Sequence, residues 1–178
     1  MYSTFKERLR DSERYQRLLI PLYEKLSENK RFVFINKDEK HSCQLVNIIQ
    51  NSGCDTILQT KTGSIAIEEK FRSQDKRKYG DVIVETWSCS VPGREKAGWI
   101  KTCKADYLNY CFVMSDYLEC YILDMHKLKN LWLERGPWKE IATREINRTK
   151  SDCIPLSTIK STIGYWRRLV GNNGVITN

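Results

Sequence analysis

Residues 54–72 read CDTILQT, KTG, SIAIEEKFR. Two short runs rich in β-branched and apolar residues flank a Lys61-Thr62-Gly63 turn, the pattern of a β-hairpin with a glycine in its turn. Successive side chains of a strand leave opposite faces, so Ile65, Ile67 and Phe71 line one face of the second arm while Glu68 and Lys70 leave the other. Antiparallel pairing across the turn carries Asp55 back beside them. Asp55 and Glu68 are thus candidate ligands for a shared cation, with Lys70 at its edge. Hard divalent ions such as Mg²⁺ or Mn²⁺ take one or two carboxylates plus waters and phosphate oxygens. Such an ion polarises a phosphoryl group and acidifies water, while a lysine orients or deprotonates that water and offsets developing negative charge.

Around this hairpin the chain reads as mixed α/β, or α+β. Apolar residues at Tyr15, Leu18, Leu19, Leu22, Tyr23 and Leu26 follow the rhythm of one helix face over residues 11–29, with Pro21 a kink or boundary. Residues 31–36 predict a strand, and 42–50 a short helix closed by Asn51-Ser52-Gly53. A basic polar stretch at 73–80 precedes a strand at 81–88 and a Pro-Gly loop at 91–95. One or two helical turns at 98–103 lead to strands at 106–114 and 117–124, rich in aromatic and β-branched residues. A helix over 125–135 and an edge strand over 139–147 complete the reading; residues from Asp152 onward show no clear pattern. At 178 residues the chain is expected to form a single domain, with a core over about 13–135 and a C-terminal extension over 136–178.

Lys plus Arg number 30 against 22 Asp plus Glu, a net charge of +8, which points to a polyanionic partner, nucleic acid first and an anionic membrane second. The excess is local. Residues 70–104 hold nine Lys or Arg against four acids, directly after Lys70, whereas residues 31–69 carry a net charge of −1. Lys76, Arg77 and Lys78 suit phosphate contacts on a mobile loop; Arg72, Arg94 and Lys96 extend the same basic wall. The seven cysteines are scattered without a CxxC pair, which argues against a disulfide framework or a zinc site. The polar N-terminus and the lack of an apolar run of about 20 residues predict a cytoplasmic protein that does not cross a membrane.

Asp55, twelve intervening residues and Glu68-Glu69-Lys70 resemble the PD-(D/E)xK signature of the restriction-endonuclease-like nucleases, in which an acid and an acid-x-lysine triplet lie on adjacent strands. The order of elements from about Tyr15 to Asp124 extends the likeness. Gly53-Cys54-Asp55 departs from the usual Pro-Asp, a change in a residue that does no chemistry. The resemblance implies a central mixed sheet of about five strands flanked by helices. It also implies a metal-dependent nuclease acting on DNA rather than RNA, with Asp55 and Glu68 as metal ligands and Lys70 as the catalytic lysine. A homodimer is a further implication, because cutting both strands of a duplex is often done by paired sites. The stretches 81–88, Gly98-Trp99 and Lys104-Ala-Asp106-Tyr107 are similar to small phage-type proteins of this class, which implies a prokaryotic or phage-infected host cell.

Several neighbours have more than one reading. Glu69 leaves on the apolar face and is expected to be structural, at the sheet margin or paired with a cation. Glu85 stands in an apolar strand. If that strand pairs with residues 64–72, Glu85 faces the site as a further catalytic carboxylate, metal ligand or partner of Lys70; otherwise it is a salt-bridged strand-end residue. Glu24, on the first helix, is expected to face solvent, the alternative implied by the resemblance being an acid that supports the site from behind. Trp87, Tyr107, Tyr110 and Phe112 are expected to pack in the core, while Trp99 is the candidate for base stacking. His41 and His126, the two histidines, give no support to histidine-based chemistry. The competing function is a protein of the same scaffold that binds nucleic acid or a host factor without using the site.

Overall fold

A computed structural model describes residues 5–35, 52–143, 148–171 and 174–176. The helix expected over 42–50 lies outside these residues. The first helical region is two helices, α1 (Phe5–Leu18) and α2 (Ile20–Leu26), joined at Leu19. Pro21 sits in the first turn of α2, where its missing N–H leaves no hydrogen bond unmade.

Next come β1 (Phe32–Phe34), β2 (Thr56–Thr60) and β3 (Gly63–Ser73), an antiparallel meander in which Thr56 pairs with Ile67 and Thr60 with Gly63. The expected hairpin is therefore present, with the turn where the glycine placed it. A 3₁₀ turn (Gln74–Tyr79) leads to β4 (Asp81–Cys89), β5 (Lys96–Ala97) and the single-turn helix α3 (Trp99–Thr102). Then follow β6 (Tyr107–Val113), β7 (Tyr117–Asp124), α4 (Met125–Glu134), β8 (Lys139–Ala142), β9 (Lys150–Pro155), α5 (Leu156–Thr162), β10 (Trp166–Gly171) and β11 (Gly174–Ile176).

These strands form two sheets. The first has seven strands in the order β1-β2-β3-β6-β7-β10-β11, with β3 and β6 parallel and every other pair antiparallel. The second is antiparallel, in the order β5-β4-β9-β8. A parallel pair needs a long crossover, and the one between β3 and β6 contains β4, β5 and α3. The strand expected at 81–88 thus leaves the first sheet and pairs with β5 and β9. The main sheet has seven strands rather than about five, and residues past 136 are built into both sheets instead of trailing from a finished core. The edge strand expected over 139–147 is β8, at the end of the second sheet.

The first sheet is covered on both faces. Leu19, Leu22 and Tyr23 pack with Leu58, Ile67, Cys111, Leu118, Cys120 and Val170 on one side. Val82, Val84, Ile100, Leu128, Ile154 and Ile159 pack with Leu108, Tyr110, Tyr121 and Leu123 on the other. Burial from both sides explains why β6 and β7 read as nearly continuous apolar runs. Asp124 caps α4 by accepting from the Lys127 amide at 2.9 Å, and Met125, Leu128 and Leu131 turn its apolar stripe into the core. The six described cysteines are all buried free thiols. No described helix is long and apolar enough to cross a membrane.

Candidate active site

The site is assembled where β2 begins. Continuing the β2–β3 register by one pair from Thr56 and Ile67 sets Asp55 opposite Glu68. The Asp55 amide donates to the Ile67 carbonyl at 2.8 Å, and its own carbonyl turns to accept from Ile35 of the β1 end at 2.8 Å. Its side chain then takes over the ladder, Oδ2 accepting from the Glu69 amide at 2.9 Å. The carboxylate is thereby fixed beside β3 by a backbone hydrogen bond, not by chance proximity.

Two loops hold this strand start. Gly53 has φ of +70°, a left-handed conformation suited to glycine, and a Cβ there would lie 3.2 Å from the Cys103 Cβ. Cys103 Sγ donates to the Gly53 carbonyl at 3.1 Å, and the Lys104 amide donates to Ser52 at 2.7 Å. Asp106 completes the frame. Its Oδ2 accepts from the Ala66 amide at 2.7 Å while its own amide donates to the Ala66 carbonyl at 2.8 Å, which locks the start of β6 to β3.

Glu68 and Lys70 leave the same face of β3, as alternation requires, and form an ion pair through Oε1 and Nζ. Asp55 and Glu68 are 4% and 3% exposed, so both carboxylates stand in a largely dehydrated setting. The Lys70 ammonium lies 5.6 Å from the centre of the Trp99 ring, within cation–π range. Trp99 packs against the core, and its place is set by Gly98, whose amide donates to the Thr86 carbonyl at 3.0 Å.

Among the described residues no three His, Cys, Asp or Glu side chains are grouped to hold a metal. A cation at this place would take two carboxylates from the protein and complete its shell with water and substrate oxygens, the habit of Mg²⁺ and Mn²⁺ rather than of a structural zinc. The donor set fits such an ion: two hard oxygen ligands on facing strands, one of them anchored by a main-chain hydrogen bond.

Glu69 faces the helices instead. Its Oε1 accepts from Tyr23 Oη at 2.7 Å and Thr56 Oγ1 at 2.6 Å, and Asn109 Nδ2 donates to Tyr23 Oη at 3.1 Å. These bonds join α2, β2, β3 and β6 behind the site, and with a further hydrogen bond from Gln16 they give Glu69 neutral polar partners and not the expected sheet margin or cation. Burial pushes the Glu69 carboxyl up to about 7 from an ordinary 4.5, with the Asp55 charge adding to the rise and the hydroxyl hydrogen bonds opposing it. Folding therefore takes up a proton between those values, and stability falls as pH rises through that window, by an amount on the order of 3 kcal/mol. In metal-free urea unfolding, wild type is expected to lose stability between about pH 4.5 and pH 7, and Glu69→Gln to be flatter and more stable at the upper end. Parallel decline in both proteins would contradict this.

The strand that carries Glu85 does not pair with the β2–β3 hairpin. Glu85 stands half-buried on β4, across from Ser151 of β9, and leaves the strand on the face opposite the core residue Val84. The pairing on which its catalytic role depended is absent among the described residues. What β4 gives the site is backbone, the Glu85 and Thr86 carbonyls against which Gly98 packs. Glu24 is partly exposed and within 3.9 Å of Lys30 at the surface.

The basic residues divide into three groups. Lys78, Arg94 and Lys96 are exposed, and Lys76 is an exposed cation paired with Asp75 at 3.1 Å. Arg72, on the face of Glu68 and Lys70, is half-buried and donates to Tyr110 Oη at 3.2 Å. Arg77 does not belong to a mobile loop. It lies in the 3₁₀ turn and reaches inward to the buried Glu119, with Nε to Oε2 at 2.5 Å. Burial alone would raise the Glu119 carboxyl, but hydrogen bonds from Arg77, Tyr121 and Arg167 outweigh it and hold the group below its usual range. Glu119 escaped notice in the sequence although it stands in an apolar strand, as Glu85 does.

Tyr110 and Phe112 pack edge-on at 5.5 Å in the core, Tyr107 packs on Trp166 at 5.8 Å, and Trp87 carries the Lys101 ammonium at 3.8 Å. His126 is exposed on α4 beside Asn130, and His41 lies outside the described residues. A cavity of about 180 Å³ between Leu58, Ile67, Tyr107, Ile122 and Trp166 opens on the helix side of the sheet, away from Glu68 and Lys70, and contains no acid in its lining. Comparison with protein-family models, with curated proteins and with solved structures gave no match.

Proposed function

We propose that this chain is a divalent-metal-dependent nuclease of the PD-(D/E)xK type that hydrolyses DNA phosphodiester bonds. The observation that carries the reading is the Glu68–Lys70 ion pair with Asp55 opposite Glu68 in the extended β2–β3 register, where that antiparallel pair adjoins the parallel β3–β6 pair. A helix, a three-stranded meander, and a crossover containing the single-turn α3 as well as β4 and β5 that leads to a strand parallel to the third are compatible with a restriction-endonuclease-like core and support the reading at the level of topology. Surrounding basic residues supply the phosphate affinity that such an enzyme needs.

In this reading Asp55 and Glu68 hold Mg²⁺ or Mn²⁺, which supplies Lewis-acid polarisation of the phosphoryl group and acidifies water. The protein residues do the rest. Lys70 leaves its ion pair with Glu68, and its ammonium orients the attacking water and offsets the charge that develops on the phosphoryl oxygens. Trp99 limits where that ammonium can go. Asp106 and the Glu69 cluster keep β2, β3 and β6 in register behind the reacting groups.

Direct Mn²⁺ binding tests the assignment apart from turnover. Wild type is expected to bind Mn²⁺ in calorimetric or paramagnetic titration, and Asp55→Asn to bind at least about 10-fold more weakly with its melting temperature retained. Equal affinity in the two proteins would remove Asp55 from the metal site.

A further inference from the structure

One guanidinium is enough to neutralise a buried carboxylate, yet Glu119 is served by two. Arg77 meets it with Nε at 2.5 Å and Nη2 at 3.2 Å; Arg167, from β10, meets it with Nε at 2.7 Å. Tyr121 Oη donates to Glu119 at 2.8 Å and accepts from Arg77 Nη2 at 2.9 Å. The group therefore carries one surplus positive charge. Glu119 is 4% exposed, whereas the arginine side chains are 35% and 46% exposed, so the surplus lies at the outer side.

Each guanidinium has five N–H donors in a planar fork. Among the described residues Arg77 Nη1 and both terminal nitrogens of Arg167 have no hydrogen-bond partner, while their Nε atoms are fixed by Glu119. The Arg77 guanidinium is also held 5.5 Å from the Phe112 ring centre and 5.7 Å from that of Tyr121. Two forks are thus oriented before any ligand arrives, with donors left over. Such a pair matches the oxygens of a phosphate group, which arginine binds in bidentate fashion.

We propose that Arg77 and Arg167 form a phosphate-binding fork that grips the backbone of the nucleic acid at a point distant from the scissile bond. The identity of the ligand rests on the nuclease reading; the fork itself rests on the Glu119 geometry. Its position is set by the register. Lys70 pairs with Tyr110, Tyr110 with Tyr121, and Tyr121 with Arg167, a single row on one face of the first sheet. Three strand spacings put Arg167 about 14 Å from Lys70 at the backbone. Lys76 and Lys78 flank Arg77 on the same 3₁₀ turn and extend the positive surface.

The test is fluorescence anisotropy with labelled single-stranded and duplex DNA, in chelator, over a range of salt. Arg167→Gln keeps the Arg77–Glu119 pair and is expected to melt near wild type, to bind about 10-fold more weakly near 0.1 M salt, and to lose about one from the slope of log affinity against log salt. Unchanged affinity and slope in the folded variant would overturn the proposal and leave a structural ion pair. Should that variant fail to fold, Arg167→Lys keeps a cation on Glu119; a weaker complex with an unchanged slope is expected, and wild-type affinity would overturn the fork. Stabilisation of wild type, but not of Arg167→Gln, by inorganic phosphate, with equal oligonucleotide binding in both, would overturn the nucleic-acid assignment in favour of a free anion. Cleavage reports separately: a chain that cleaves DNA but binds alike with and without Arg167 loses the fork alone, and one that binds through Arg167 but never cleaves loses the nuclease reading alone.

Discussion

Glu68→Gln is expected to reduce metal-dependent DNA hydrolysis by about 10³-fold or more, with the fold retained. The substitution conserves shape and removes one negative charge. Glu68 is buried and its Oε1 is paired with Lys70, so the variant loses both an anionic ligand and the group that holds the ammonium in place. A neutral amide in a buried position costs less desolvation than a carboxylate, and the melting temperature should not drop. Lys70→Ala is expected to lose about 10²- to 10⁴-fold for a different reason, because the two proposed metal ligands would remain and only the water-orienting, charge-offsetting ammonium would be gone. Mn²⁺ affinity separates the two variants: it should fall in Glu68→Gln and hold in Lys70→Ala. Single-turnover cleavage at saturating metal, read beside thermal melting, checks both, and wild-type rates in either folded variant would remove that residue from catalysis.

The second large effect is steric and starts outside Asp55, Glu68 and Lys70. A Cβ at Gly98 would sit 2.1 Å from the Glu85 carbonyl oxygen and 2.4 Å from its carbon, with the Thr86 carbonyl carbon at 2.8 Å. All three are backbone atoms of β4, so no side chain can rotate away. Gly98→Ala must push α3 off β4 or bend β4 itself, at a cost of about 3 kcal/mol or more, which for a chain of this size lowers the melting temperature by about 6–12 °C. Because Gly98 places Trp99 beside Lys70, the folded fraction should also cleave more slowly. Gly136 is the control, since a Cβ there meets nothing closer than 3.9 Å, and Gly136→Ala should change melting little. A Gly98→Ala protein with wild-type melting and activity would show that the close approach is not needed.

The hairpin was legible because both of its signals are local: period-two alternation and a glycine turn, which together put Glu68 and Lys70 on one face and Asp55 on the partner arm. The Pro21 break and the buried strands β6 and β7 were legible for the same reason. The destination of residues 81–88 was not. An apolar strand states that it will be buried but not which neighbours it will pair with, and β4 found its partner β9 some seventy positions along the chain. The Glu85 reading failed with that pairing. Glu69 lies on the expected face, but one of its partners, Tyr23, comes from α2, which is distant along the chain and leaves no signature in the hairpin. Arg77 looked like one more cation in a basic run. Its role depends on Glu119 and Arg167, which chain distance separates and the sheet brings together.

The central claim is that Asp55, Glu68 and Lys70 form a metal-dependent phosphodiesterase site, and the most direct measurement is a divalent-metal titration of the wild-type protein against a panel of labelled DNA and RNA substrates. The account predicts no cleavage in chelator, cleavage of DNA restored by Mg²⁺ or Mn²⁺, and its loss in Glu68→Gln. Nucleic-acid binding without cleavage under any divalent ion, by a protein that is folded, would contradict it.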